Sequence, residues 1–323
     1  MTRFTKSILV ISFVTTALIG CNQSQEQIND EKMGLDIDST SKSTSQHEQE
    51  ITVSDFSGNT LTLPKPAQRV VALAPHIVEN LFSIGAGDTL VGVVTHSDFP
   101  AEATNLPIVG GYKKTNYEKI AELKPDLIVA WESGNSYGNL NKLRDLGFTV
   151  LIDQPDSLDD IAKSLRMLGS ATGKSKRANE VATAFTEKLN KFRVNQADKP
   201  SVSVFYQVWN DPLITINGNH IISDAIRACG GKNVFANEVA VAPRTNIESV
   251  IAKNPEAIIA SGMSEARPEW LDDWKQWRSI TAVENNHLFF VDPDHLQRHT
   301  IRQLSAIKSI CTQLDQVRQA SKN

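Results

Sequence analysis

The chain has 323 residues, with 33 Lys and Arg against 37 Asp and Glu, a net charge of −4 and 40% hydrophobic residues. The slight acidity and the lack of any basic block exclude nucleic acid as an expected partner. Beyond position 49 the composition is that of a folded chain, long enough for one large or two medium domains.

Arg3 and Lys6 precede an uncharged stretch over 7–20 and then Cys21. That stretch is too short to span a bilayer and has the charge and length of a secretory signal. Leu18-Ile19-Gly20-Cys21 has the small-residue-then-cysteine form at which bacterial lipoproteins are cut and acylated. Residues 1–21 are therefore expected to be a lipoprotein signal peptide, with Cys21 the acylated start of the mature protein. The protein would then be periplasmic or otherwise extracytoplasmic, held to the membrane by lipid. Residues 22–49 are mostly Gln, Ser, Asp, Glu, Lys and Thr. They cannot bury enough surface to offset the entropy of ordering and are expected to be a disordered tether. Setting Cys21 aside leaves Cys229 and Cys311, which are predicted to be bridged because an exported chain meets an oxidising compartment.

Strand-like and helix-like stretches then alternate. Residues 51–53 and 60–63 flank Ser57-Gly58-Asn59 as a hairpin. Apolar runs at 70–73, 90–94, 127–131 and 150–152 read as buried strands, separated by helical patterns such as 77–84 and 158–168. This is α/β order.

An internal repeat sets the architecture. Asn116, Glu118, Pro125, Ile128 and Ala130 recur without a gap as Asn246, Glu248, Pro255, Ile258 and Ala260. In each copy an Asn caps a helix, a Pro stops it and a strand follows. The repeat predicts two like lobes, 50–172 and 199–323, joined by a long helix within 173–198 whose apolar positions include Val181, Ala184, Phe185 and Leu189. Two lobes facing each other across a rigid helix make a cleft.

The catalytic and metal patterns in the chain are incomplete. The 169–175 segment resembles a phosphate-binding loop but is one residue short and follows a helix, so it reads as a helix cap and linker. His295 and His299 have the i, i+4 spacing of metal ligands, without a third or fourth ligand cluster. Asp272 and Asp273 lie in a Trp-rich pattern without a partnering base, and there is no nucleophile elbow. No enzyme, resident cofactor or metal site is expected.

The segments 69–75, 92–100, 123–135 and 228–235 resemble the iron-siderophore/cobalamin class of periplasmic solute-binding proteins, over about 68–314. The Ala-Trp-x-x-Gly-Asn segment at 130–135 and the Cys-Gly-Gly at 229–231, with Cys311 in a C-terminal helix, are most similar to the cobalamin binders of that class. The resemblance implies two Rossmann-like lobes on one long helix, the class III solute-binding fold. It implies capture of cobalamin (vitamin B12) by a protein that is monomeric when free, for an ABC permease with an associated ATPase. His96, Tyr112 and Trp131 fall where the class places N-lobe aromatic contacts; in the other lobe Trp209 lies in a Trp-Asn-Asp-Pro turn after a strand, and Asp294 with Arg298 falls near a class segment of polar contacts. Glu118 and Glu248 match the glutamates that meet arginines on the two membrane subunits. The chain departs from the cobalamin binders at Ala242, where they carry Trp, and at His96, where they carry Tyr; Arg244 offers a planar guanidinium in place of the lost indole. The same class includes ferric-siderophore and haem binders, and a corrinoid- or haem-processing enzyme is the remaining alternative; His96 reads first as a hydrogen-bonding or packing residue and second as an axial ligand to cobalt or haem iron.

Overall fold

A computed structural model describes residues 50–111, 114–262 and 267–321. The expected signal peptide, Cys21, the tether to residue 49 and Tyr112 lie outside the described residues. The chain opens with the hairpin β1 (Ile51–Ser54) and β2 (Thr60–Leu63). Its turn is closed by Asp55, whose Oδ1 accepts from the backbone N–H groups of Ser57 and Asn59 at 3.0 Å each, and Gly58 supplies φ +83°.

The first lobe follows in the order β3 (Val70–Ala72), α1 (Pro75–Ser83), β4 (Leu90–Val94), β5 (Ile108–Gly111), β6 (Lys114–Thr115), α2 (Tyr117–Leu123), β7 (Leu127–Trp131), α3 (Tyr137–Asp145) and β8 (Val150–Asp153). These strands form one sheet in the order β6-β5-β4-β3-β7-β8, parallel except for β6. Helices cover both faces, so β3 and β8 are buried along their whole length, which is why they read as unbroken apolar runs.

Helix α4 (Leu158–Ala171) opens with a Ser157/Asp160 capping box. It closes on Gly173, at φ +72°, with the Lys174 N–H returned to the Gly169 carbonyl at 2.8 Å. The phosphate-loop look-alike is thus a helix end. Helix α5 (Ser175–Gln196) has 22 residues, roughly 33 Å at the usual rise.

The second lobe contains β9 (Val202–Gln207), the short hairpin β10 (Trp209–Asn210) and β11 (Leu213–Ile214), α6 (Ile221–Ala228), β12 (Gly231–Asn233), α7 (Ile247–Lys253) and β13 (Ala257–Ala260). A 3-10 helix (Glu269–Gln276), α8 (Thr281–Glu284), β14 (Leu288–Phe290), α9 (Pro293–Leu296) and α10 (Gln303–Ala320) complete it. Its sheet, β12-β9-β13-β14, is wholly parallel.

The sequence repeat is a structural repeat. Asn116 accepts from the Lys119 N–H and Asn246 from the Ser249 N–H, and both helices have seven residues. Both end on a left-handed cap, Lys124 at φ 46° and Asn254 at φ 44°, before the proline. The acid after each proline also repeats a role that its sequence did not announce. Asp126 accepts from the Gln68 and Arg69 N–H groups (2.8 and 2.9 Å), and Glu256 from that of Ser203 (2.7 Å), locking the chain entering the neighbouring central strand.

The described residues pack as one unit. A single apolar cluster joins Val70 and Leu127 of the first sheet to Val202 and Ile259 of the second through Ile161, Phe185 and Ile226 on the intervening helices. The Cys229–Cys311 disulfide is present, with Cα atoms 4.7 Å apart, and ties the end of α6 to α10. Closing this 82-residue separation stabilises the fold by about 4 to 5 kcal/mol in the chain-entropy account.

Candidate ligand-binding cleft

Parallel sheets leave their open crevice at the carboxyl ends of the strands. Here a hollow of about 200 Å³ lies at that edge of the first sheet, lined by Ala74, Thr95, His96, Gly111, Trp131 and Asn135 among others. A second hollow of about 380 Å³ lies between the lobes. Trp131, Ser133, Gln154 and Asp156 face it from one side, and Asn219, His220, Val241, Ala242 and His299 from the other. Trp131 belongs to both.

Trp131 is the last residue of β7, and its position is set by Asn135. The Asn135 Oδ1 accepts from the Trp131 N–H at 2.9 Å while its Nδ2 donates to the Leu73 carbonyl at 3.3 Å, stitching two strand ends together. The indole meets His76 edge-on at 5.4 Å and His299 at 5.5 Å, and the two imidazoles lie 5.1 Å apart. Burial, with His76 and His220 adding to it, pushes the His299 pKa well below the usual histidine range. Burial likewise lowers His220 to about 4, against the opposing pull of Asp156. Its Nδ1 accepts from the Ile222 N–H at 3.2 Å, so the neutral ring carries its proton on Nε2. The His299 and His220 rings are therefore uncharged at neutral pH. His76 Nε2 lies 3.4 Å from Asp153 Oδ2 without hydrogen-bond alignment, the Oδ2 accepting instead from Ser164 at 2.9 Å.

Two cations of the second lobe, Arg298 and Arg302, are committed elsewhere. Arg298 reaches Glu79 Oε1 at 2.7 Å, Asp98 at 2.8 Å and Asp294 at 3.0 Å. Arg302 reaches the same Glu79 oxygen at 3.2 Å and stacks over the Phe99 ring at 4.2 Å. Burial opposes the Arg298 charge, but the hydrogen bonds it donates to Asp98 and Glu79 outweigh it and raise its pKa. Burial would raise Asp98, and Arg298 overcomes that to hold it below the usual carboxylate range. This clamp joins α1 and the loop after β4 to the segment between α9 and α10.

Of the expected ligand residues, His96 and Trp131 come together. His96 is exposed at φ 66°, a left-handed backbone that strains a residue with a Cβ. Ala242 lines the interlobe hollow, whereas Arg244 and Trp209 do not. Arg244 bridges Ile214 on β11, and Trp209, 37% exposed on β10, donates its Nε1–H to the Asp211 carbonyl at 2.9 Å. Asp294 and Arg298 belong to the clamp. His295 and His299 do not share a helix face, because α9 ends at Leu296. His295 lies 3.7 Å from Asp292, and among the described residues there is no cluster of three or more potential metal ligands. Reading the sequence missed His76, His220, Gln154 and the Glu79–Arg302 pair; the one available signal was His299, weighed only as a metal ligand.

Two α/β lobes, one long connecting helix and an interlobe hollow at the strand ends define a solute-binding protein of the class III fold. The family model for periplasmic binding proteins matches residues 70–295, and the chain belongs to that family. The chain is 36% identical over 255 residues to the vitamin B12-binding protein of Vibrio cholerae serotype O1, covering 79% of this chain and 91% of that one. The crystal structure of the periplasmic vitamin B12 binding protein of Vibrio cholerae superposes with a TM-score of 0.72 at 35% identity, covering 78% of this chain and 98% of the other. A periplasmic heme-binding protein from Roseiflexus sp. RS-1 shares the fold, with a TM-score of 0.68 at 21% identity over 78% of this chain and 99% of that one.

Proposed function

We propose that this chain is the lipid-anchored, periplasmic binding component of an ABC importer, capturing cobalamin between its lobes and delivering it to a membrane permease driven by a separate ATPase. The observation that carries this reading is the cleft floor. Trp131, with the neutral His299 and His220, offers flat and uncharged faces to a broad, amide-rimmed macrocycle, while Arg298 and Arg302 are already held by carboxylates. An anionic haem or ferric siderophore calls for free cations at the same place. The vitamin B12-binding relatives support the same choice. Titration calorimetry of the delipidated protein with cyanocobalamin, haemin and a ferric siderophore side by side tests it: cyanocobalamin binds tightest, and preferential binding of either iron ligand removes the proposal.

Glu118 and Glu248 serve as the two docking points. Both are exposed, both start equivalent helices, and neither enters an ion pair among the described residues. Like-charge reversal of both to Arg would then stop uptake without altering solution affinity.

A further inference from the structure

The cleft floor holds a knot of polar atoms that ligand capture as described does not use. Among the described residues, ten buried side-chain nitrogen and oxygen atoms have no hydrogen-bond partner within the protein. Five of the ten meet here: His76 Nε2, Asn80 Oδ1, Trp131 Nε1, Asp153 Oδ1 and His299 Nδ1. They come from α1, β7, β8 and the segment between α9 and α10, so the knot lies across the boundary of the two lobes. Asn80 stands one turn after His76 on α1 and donates its Nδ2–H to the His299 carbonyl at 3.0 Å. The rings of His76, Trp131 and His299 form a triangle with sides of 5.4, 5.5 and 5.1 Å.

Unpaired polar atoms in a dry site are costly. The closed triangle is therefore held only narrowly over an arrangement in which the Trp131 indole swings out and water reaches the knot. The surroundings also oppose a proton on His299. Burial opposes it most, and His76 from α1 and His220 at the N-cap of α6 add to it. Arg298, the preceding residue, keeps its positive charge. The nearby carboxylates are engaged: Glu79 by Arg298 and Arg302, Asp153 by Ser164, and Asp156 by Gln154 at 2.7 Å.

We propose that His299 is a positioning residue for Trp131: its neutral ring holds the indole in the cleft wall, and a proton on it releases the indole, so ligand capture weakens as pH falls. The proposal rests on Trp131 as a ligand contact. Its sign follows from linkage. The ring in the closed triangle takes a proton only well below the ordinary range, whereas a hydrated imidazole takes it at about 6.5. The closed triangle is thus favoured above that value and loses ground below it. Near pH 5 the proton shifts the balance toward the released indole by at most about thirtyfold.

The test is calorimetry of the soluble Cys21→Ser chain with cyanocobalamin at pH 7.5 and 5.0, with the fold checked by circular dichroism at each pH. The affinity of the parent should fall about tenfold, within the thirtyfold limit. In the ligand-free protein the indole N–H resonance of Trp131 should move over the same range. His299→Gln cannot take the proton. Whatever its affinity at pH 7.5, the ratio between the two pH values should stay within about twofold and the indole resonance should stay in place. His220→Gln should keep the fall seen in the parent. An unchanged affinity in the parent, a fall that persists in His299→Gln, or one abolished by His220→Gln overturns the positioning role. Where His299→Gln does not fold, the parent decides: an indole resonance that does not follow the titration of the His299 ring overturns it. Failure of the parent to bind cyanocobalamin at pH 7.5 removes the cobalamin reading, and the indole titration then decides the positioning role by itself.

Discussion

Replacing Arg298 by Met removes the guanidinium from the interlobe clamp while keeping much of its apolar stem. Glu79 then becomes the difficulty: its side chain is 3% exposed, and it loses the 2.7 Å contact. Breaking a buried pair by deleting one partner costs about 3 to 5 kcal/mol. Here the lower end applies. Arg302 keeps its 3.2 Å contact with Glu79, and the other two carboxylates are 54% and 29% exposed, so they rehydrate. The expectation is a loss of about 3 kcal/mol in Arg298→Met, with part of it recovered in Glu79→Met/Arg298→Met, because the double variant no longer buries the Glu79 carboxylate, while Arg302, 18% exposed, is left without its partner. Urea unfolding of the parent, the two single variants and the double variant measures the cycle. Wild-type stability in Arg298→Met, or strictly additive losses in the double variant, would refute the clamp. If stability holds and cyanocobalamin affinity falls, Arg298 is the ligand contact that the family resemblance implies.

Trp131→Ala should weaken cyanocobalamin binding by about 1 to 3 kcal/mol, since one indole walls both hollows, and calorimetry on a variant shown to be folded checks it. His220 contributes stability that is lost on acidification. Its folded pKa of about 4 lies below the unfolded value of 6.5, so the unfolded chain binds the extra proton between them. About 3 kcal/mol should disappear as pH falls through that window, and a urea midpoint whose fall below pH 6.5 is unchanged in His220→Asn contradicts it. His96→Gly should stabilise the fold by about 1 kcal/mol by relieving the left-handed φ of 66°, while weakening ligand capture; calorimetry and denaturation that move in the same direction would count against a functional origin of the strain. Replacing Cys229 and Cys311 by Ala should lower stability by about 2 to 5 kcal/mol, measured by denaturant midpoint against the oxidised parent.

The sequence alone determined what depends on local order and on patterns along the chain. Alternating apolar runs gave the parallel strands, and the 130-residue offset between Asn116 and Asn246 exposed two equivalent helix-to-strand units. The charged but amphipathic stretch after Gly173 gave the connecting helix, and compartment logic paired Cys229 with Cys311. Trp131 was legible through the family resemblance, and the structure puts it at the end of a parallel strand, where such strands face the crevice. Tertiary structure decided the electrostatics. Glu79 and Arg298 are 219 positions apart, and no periodicity links them; strand order and the packing of α1 against the segment before α10 bring them together. The same holds for His76, Trp131 and His299, three residues from different elements, where burial in the shared cluster keeps the His299 ring uncharged. A residue's charge state and partners depend on how much water the assembled fold excludes and on which distant side chains it brings close, and neither quantity is carried by the neighbours in the chain.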